Sequence, residues 1–273
     1  MRIILYVLAS IIVVFAVSCL AFRVNAAAPK LAYKDGSEGF PLPEQVPMQG
    51  SQDFLLELRG EYPGFSMVIL THFPQGLGKE LDKALVERAR ELHTEFYTEA
   101  LKAEDDILAE VMAEVSSALL EKESVPGAGT NPGWESRYLT SCTYTGSQAS
   151  DKVFSINYMV YSYTGGAHSN RVYRTWTYDV ASGRELGLRD IFPGKDSVEP
   201  ALAQLAIEAL AGKVNDLTEE MMDIDMERMV LTPEGMQIVY SPYEIASYAE
   251  GEFYVDIPLK KLEPLGVNMA LWK

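Results

Sequence analysis

Residues 163–168, YTGGAH, place the last histidine of the chain after two glycines. With Ser169 directly behind it and Asp179 or Asp190 downstream, His168 can be drawn into a hydrolytic set of serine, histidine and aspartate. The spacing argues against that set, because neighbouring strand positions point to opposite faces and the chain has no Gly-x-Ser-x-Gly turn. Paired carboxylates for glycoside cleavage could be chosen from 39 acids, which makes any choice uninformative. Catalysis through His168 therefore stays the alternative to a binding role.

The same stretch suits a tight turn between two strands, because Gly165 and Gly166 can adopt φ values that other residues avoid. Sheet proteins often place recognition residues at such tips. Tyr163 and His168 flank the glycines. The sequence therefore predicts a turn at which Tyr163, Gly165, Gly166 and His168 are candidate ligand contacts.

A second candidate surface is the loop SPYEIASYAEG, residues 241–251. It combines Tyr243 and Tyr248 with the acids Glu244 and Glu250. Aromatic rings beside carboxylates suit stacking on sugars or contact with a cationic protein, which makes Tyr243, Glu244 and Tyr248 candidate ligand contacts. The competing interpretation is that both tyrosines pack the last strand onto the sheet.

Metal and cofactor chemistry has no sequence support. His72 and His93 lack a second histidine, cysteine or carboxylate at a metal-ligand spacing. Cys142 has no basic neighbour in sequence that would activate it, and it suits a small buried position on a strand. We therefore expect no metal and no other cofactor.

The charge balance excludes one class of partner. The chain of 273 residues has 23 Lys and Arg against 39 Asp and Glu, a net charge of -16. Nucleic-acid binding needs a concentrated cationic face, so we expect no nucleic-acid partner. An acidic surface suits a cationic partner or simple solubility.

The N-terminal segment predicts export. Arg2 precedes an uncharged run over 3–22, and the small residues of VNAAAP follow, so residues 1–26 suit a cleaved signal peptide. Twenty uncharged residues also suffice for an uncleaved membrane anchor, and lipidation of Cys19 is a third route. Residues 27–51 mix Gly, Pro and charges without a period and suit a flexible linker. We expect a periplasmic or otherwise extracytoplasmic protein whose membrane contact is confined to this N-terminal segment.

Hydrophobic spacing predicts the remaining elements. Two strands around a Tyr-Pro-Gly turn precede apolar residues at helical spacing over 78–119, which one long helix or two shorter ones would satisfy. An antiparallel meander follows over 134–190, with a strand RELGLRDIF after an ASG turn. Residues 194–214 predict a helix, and two further strands close the chain. The expected class is α+β, an antiparallel sheet with helices packed on one face.

Four stretches together carry a family resemblance: YTGGAH, YRTWTYDVASGREL, LRDIF and LTPEGMQIVYSPYEIASYAEGEFYVDIPLKKL. They resemble the extracytoplasmic module shared by the anti-sigma factor RsiV and the deacetylase PdaC. Residues 52–168 resemble the PdaC-like N-terminal half, and residues 172–265 the RsiV-like C-terminal half. Because the meander crosses the border between the halves, we expect them to unfold as one unit.

The resemblance implies a binding function. In RsiV the module binds lysozyme outside the membrane, and in PdaC it accompanies a separate deacetylase domain. Only Met1 and Arg2 precede the hydrophobic run, and no region is left for a deacetylase metal site. We therefore expect a non-catalytic cell-envelope binding module for a lysozyme-type muramidase or a peptidoglycan-like glycan. An acidic surface would steer a cationic lysozyme towards it.

Overall fold

The computed structural model describes residues 48–62, 65–120, 136–164, 169–195, 197–215 and 217–273. The predicted signal peptide, nearly all of the predicted linker, and Gly165, Gly166 and His168 lie outside these ranges. Across the ranges described, no helix combines the length and the apolar character that crossing a membrane requires.

The described chain contains runs of strands separated by helices, as is typical of an α+β protein. The strands are β1 (Gln52–Tyr62), β2 (Phe65–Gln75), β3 (Ser136–Ser150), β4 (Val153–Tyr163), β5 (Asn170–Asp179), β6 (Met229–Thr232), β7 (Gly235–Tyr240) and β8 (Phe253–Pro258). The helices are α1 (Lys79–Leu120), α2 (Leu188–Ile191), α3 (Glu199–Leu210) and α4 (Leu259–Leu262). The predicted α+β class is confirmed.

The first sheet has the order β1-β2-β3-β4-β5 among the residues described. Strands β3, β4 and β5 form the predicted antiparallel meander. Strands β2 and β3 run parallel instead, because α1 carries the chain from one end of the sheet back to the other. The helical spacing belongs to one continuous helix, α1, rather than to two.

Helix α1 covers one face of this sheet because its apolar residues recur at helical spacing while those of the strands alternate. The shared core contains Leu81, Leu85, Leu92 and Phe96 from the helix and Met67, Ile69, Cys142, Ile156, Tyr158 and Trp176 from the strands. Arg174 on β5 donates two hydrogen bonds of 2.8 Å to the Glu95 carboxylate on α1. This paired geometry sets the position of the helix along β5.

The second sheet, β6-β7-β8, is antiparallel and packs one face against α3. Its core side includes Leu202, Ala206, Leu210, Leu231, Ile238 and Val255. The predicted arrangement of helices on one face therefore holds for α1 on the first sheet, while α3 belongs to a second layer that the sequence did not separate.

The predicted strand RELGLRDIF is wrong. After β5, only an isolated bridge between Tyr178 and Glu185 continues the pairing, and the chain then forms α2. The Asp190 carboxylate accepts a hydrogen bond of 2.8 Å from the Gly187 backbone N–H and so begins this helix. Burial of Ile191 in the core of the second sheet completes the change from strand to helix.

Side-chain hydroxyl groups join the two sheets. Ser155 and Thr175 lie on the face of the first sheet opposite α1, since their strand neighbours face the helix. The Ser155 hydroxyl accepts a 3.0 Å hydrogen bond from the Leu231 backbone N–H, and the Thr175 hydroxyl lies 2.8 Å from the Met229 carbonyl oxygen. These contacts satisfy backbone groups on the outer edge of β6 that β7 does not reach.

Gly183 allows the turn after β5 to approach α1, and its substitution should be costly. Gly183 has φ +67°, and an added Cβ would lie 2.4 Å from the Glu80 carbonyl oxygen. Gly194 has φ +78° with nothing within 4 Å of an added Cβ. We expect Gly183→Ala to lower the free energy of unfolding by about 1–3 kcal/mol more than Gly194→Ala, which carries the backbone strain without the clash. Equal losses in urea denaturation would contradict this packing.

His93 should make the fold sensitive to acid. Burial lowers the pKa of His93 to about 4, and its Nδ1 lies 3.1 Å from the Thr71 hydroxyl. Because the folded pKa lies below the unfolded value, the unfolded chain binds the proton more tightly, and stability falls as the pH drops below about 6.5. Between pH 7 and pH 5, His93 should account for about 2 kcal/mol of lost stability. Denaturation of His93→Gln at both pH values should show a correspondingly smaller loss.

Candidate binding surface

The loop after β7 contains a strained turn. The Glu244 backbone N–H donates a 3.2 Å hydrogen bond to the Ser241 carbonyl oxygen across Pro242 and Tyr243. Tyr243 has φ 74°, while the proline ring holds Pro242 at negative φ, so the turn is type II. Its third position normally holds glycine, and a tyrosine there costs about 1 kcal/mol. The surrounding contacts must stabilise this conformation.

Glu244 and Arg228 provide those contacts. The Glu244 carboxylate accepts hydrogen bonds from the Ser241 backbone N–H at 2.6 Å and from the Arg228 guanidinium at 2.5 Å. The Ser241 hydroxyl accepts a further hydrogen bond of 3.0 Å from the Tyr173 backbone N–H on β5. Burial acts to lower the pKa of Arg228, but the Glu244 and Asp223 carboxylates together outweigh it and raise that pKa, so the guanidinium stays charged.

The turn projects the Tyr243 ring into solvent. Its exposed fraction is 61%, so the interpretation that it packs the last strand onto the sheet is wrong for this residue. The ring lies against half-buried Tyr248, with centroids 5.3 Å apart and an interplanar angle of 32°. The two rings therefore form one aromatic platform.

The two stretches singled out in the sequence meet at this platform. The Tyr248 hydroxyl donates a 2.9 Å hydrogen bond to the carbonyl oxygen of Ser169, the residue that directly follows YTGGAH. Tyr163 lies half-buried at the end of β4. Gly165, Gly166 and His168 lie outside the described residues, so their part in the surface stays a prediction.

The platform stands in an acidic part of the chain. Residues 219–252 contain nine Asp and Glu and a single base, Arg228. Their net charge of -8 is half of the net charge of the chain, -16. Two of the three large apolar side chains that are exposed within the described ranges, Met221 at 40% and Tyr243 at 61%, lie in this segment, and the third, Tyr254 at 41%, follows it by two positions. Apolar rings among unbalanced acids are complementary to a cationic surface that carries apolar groups.

The structure separates the described members of the drawn hydrolytic set. Ser169 precedes β5 and Asp179 ends it, so the length of the strand, about 30 Å, lies between them. A hydrogen bond from the Ser182 hydroxyl lowers the pKa of Asp179. Hydrogen bonds from Arg184, in the turn that follows, lower the pKa of Asp190. Both aspartates therefore have structural partners at the end of β5 away from Ser169.

The remaining sequence candidates occupy structural positions. Cys142 is fully buried, and burial raises the pKa of its thiol, as the packing interpretation predicts. The His72 Nδ1 lies 2.8 Å from the Asp53 carboxylate between β2 and β1. In the part of the chain that the structure describes, no group of three or more His, Cys, Asp or Glu could hold a metal ion.

Arg228 is the residue of this surface that sequence reasoning missed. It lies 16 positions from Glu244, so no local pattern connects the two. The available signal was its isolation as the single base among nine acids in residues 219–252.

One family of known proteins matches part of the chain. Residues 189–260, which include the Tyr243 turn, match a family described as a protein of unknown function, DUF3298. No curated protein matches the chain.

The chain matches two solved structures. A DUF3298 family member from Bacteroides fragilis is 18% identical, with a TM-score of 0.53, and the match covers 81% of this chain and 96% of that one. A DUF3298 family protein from Pseudomonas aeruginosa is 18% identical, with a TM-score of 0.48, covering 85% of this chain and 97% of that one. At this identity the likeness to the first structure shows the fold alone.

Proposed function

We propose that this protein is an exported, non-catalytic binding module of the cell envelope, and that the Tyr243–Tyr248 platform contacts its partner. The observation that carries the proposal is Tyr243, a large ring held in solvent by a strained backbone. Strained residues with large exposed side chains cluster at binding and catalytic sites, because folding alone would favour a relaxed, buried ring. The separation of Ser169 from Asp179 gives the competing hydrolase no such support.

The partner that suits this surface best is a lysozyme-type muramidase. Residues 219–252 have a net charge of -8, and they include the exposed Tyr243 ring. Lysozymes are commonly cationic, so complementary potentials would accelerate their encounter and orient them on the surface. The resemblance to the RsiV and PdaC module supports the same partner class.

A cell-wall glycan is the second candidate. Exposed aromatic rings bind sugars by stacking, and the Tyr243 and Tyr248 rings present such a platform. A glycan would use the rings but gain little from the net charge, so its binding would depend weakly on salt.

Calorimetric titration of residues 27–273 with a cationic lysozyme, at low and at physiological salt, tests the proposal. We expect saturable binding at both, tighter at low salt because acids steer the partner. Tyr243→Ala should weaken it about thirtyfold or more, while Tyr243→Phe, which keeps the ring and the strain, should retain most of it. If no heat of binding is measured at either salt concentration, lysozyme is excluded as the partner. Titration with soluble peptidoglycan fragments would then decide whether a glycan binds the platform.

A further inference from the structure

The charge and the partial burial of Arg228 are both unfavourable for direct contact with a cationic partner. It is the single base in residues 219–252, so on charge alone it weakens attraction of a cationic partner. Its side chain is 20% exposed, and its guanidinium carbon lies 6.0 Å from the centre of the buried Tyr240 ring. A guanidinium held in this way is not arranged to reach a partner. It is arranged to hold its neighbours.

We propose that Arg228 is a positioning residue for the Tyr243 platform, an inference that rests on the proposed function. The guanidinium holds the Glu244 carboxylate, and the same carboxylate oxygen accepts the Ser241 backbone N–H. That hydrogen bond is a second link between the two ends of the turn in which Tyr243 has positive φ. Arg228 thereby keeps the ring of Tyr243 on Tyr248.

The alternative state of the turn explains why a positioning residue is needed. Pro242 suits the second position of a type I turn as well as of type II, and type I would give Tyr243 an unstrained, negative φ. Without Arg228, Glu244 would be a half-buried carboxylate that lacks its cation and would move towards solvent. The Ser241 N–H would then lose its acceptor, and the turn would relax to type I with the Tyr243 ring displaced.

The other contacts of Arg228 do not carry this role. Asp223 accepts a 3.1 Å hydrogen bond from its guanidinium, but the Asp223 side chain is 69% exposed, and an ion pair with so exposed a carboxylate contributes little. The Tyr240 ring packs beneath the guanidinium and supports its plane. Glu244 is therefore the contact through which Arg228 acts on the turn.

The direction in which Arg228→Met changes the affinity for a cationic partner distinguishes a positioning role from a purely electrostatic one. Arg228→Met removes a positive charge, so an electrostatic role alone would tighten binding of a cationic lysozyme, most at low salt. A positioning role weakens that binding, by about tenfold, in spite of the more favourable charge. Arg189→Met is the matched control, because Arg189 is an exposed arginine on α2 whose loss changes the net charge equally.

A double-mutant cycle tests whether the effect passes through Tyr243. In the Tyr243→Ala background, Arg228→Met should cause no further loss, because no ring remains to be positioned. Additive losses, or tighter binding by Arg228→Met alone, would overturn the inference. If Tyr243→Ala itself leaves binding unchanged, the proposed function fails instead.

A readout without a partner keeps the inference testable in either case. NMR of the wild-type protein should show contacts between the Tyr243 and Tyr248 rings and slow exchange of the Ser241 amide hydrogen. Arg228→Met should remove the ring contacts and speed that exchange by at least tenfold, while thermal unfolding shows the fold intact. Unchanged ring contacts and exchange would overturn the positioning role whatever the partner proves to be.

Discussion

Tyr243→Gly is expected to weaken partner binding by about thirtyfold or more, which corresponds to the loss of a hot-spot aromatic residue. It should also leave a more stable protein than Tyr243→Ala does, by about 1 kcal/mol, because glycine adopts the positive φ of this position without steric cost. Binding and stability therefore separate at this residue. Titration with a cationic lysozyme and urea denaturation of both variants measure the two effects.

The comparison of glycine with alanine contains its own control. Both substitutions remove the ring and its contact with Tyr248, so they should weaken binding to the same extent. They differ in backbone strain and in the greater chain entropy that glycine loses on folding, so a more stable glycine variant reports positive φ at position 243. A glycine variant less stable than the alanine variant would contradict the strain. Retained affinity in both would mean that the ring is not a contact.

Thr175→Val is expected to lower the free energy of unfolding by about 1–3 kcal/mol, although valine has nearly the same shape and favours strands. The Thr175 hydroxyl is fully buried and lies 2.9 Å from the Met226 carbonyl oxygen and 2.8 Å from that of Met229. Valine would leave both carbonyl oxygens without this donor. Denaturant unfolding measures the loss.

The same substitution should reach the binding surface. Met226 begins the short 3-10 helix that ends at Arg228. Loss of the hydrogen bond to the Met226 carbonyl oxygen would therefore loosen Arg228, which holds Glu244. We therefore expect Thr175→Val to weaken partner binding as well as folding. Thr145→Val is the control, because Thr145 lies on the same sheet face but is exposed. A neutral result for Thr175→Val would contradict hydroxyl-mediated docking of the sheets.

Local patterns sufficed for most elements. Alternating aromatic and β-branched residues marked β3, β4 and β5, and helical spacing marked α1 and α3, because these periods arise within each element. The strand predicted after β5 was wrong because Gly187 and Asp190 begin a helix there, and burial of Ile191 against the second sheet decides between the two.

The amino-acid sequence by itself determined the class of the fold, the acidity of residues 219–252, the burial of Cys142 and the two stretches worth testing. Each depends on composition or on neighbours within a few positions. Only the tertiary structure decided that these stretches meet through Tyr248 and Ser169, 79 positions apart. It alone showed that Arg228 holds Glu244 and that Tyr243 has positive φ. Such contacts depend on how β5 and the second sheet pack, and no local spacing records that packing.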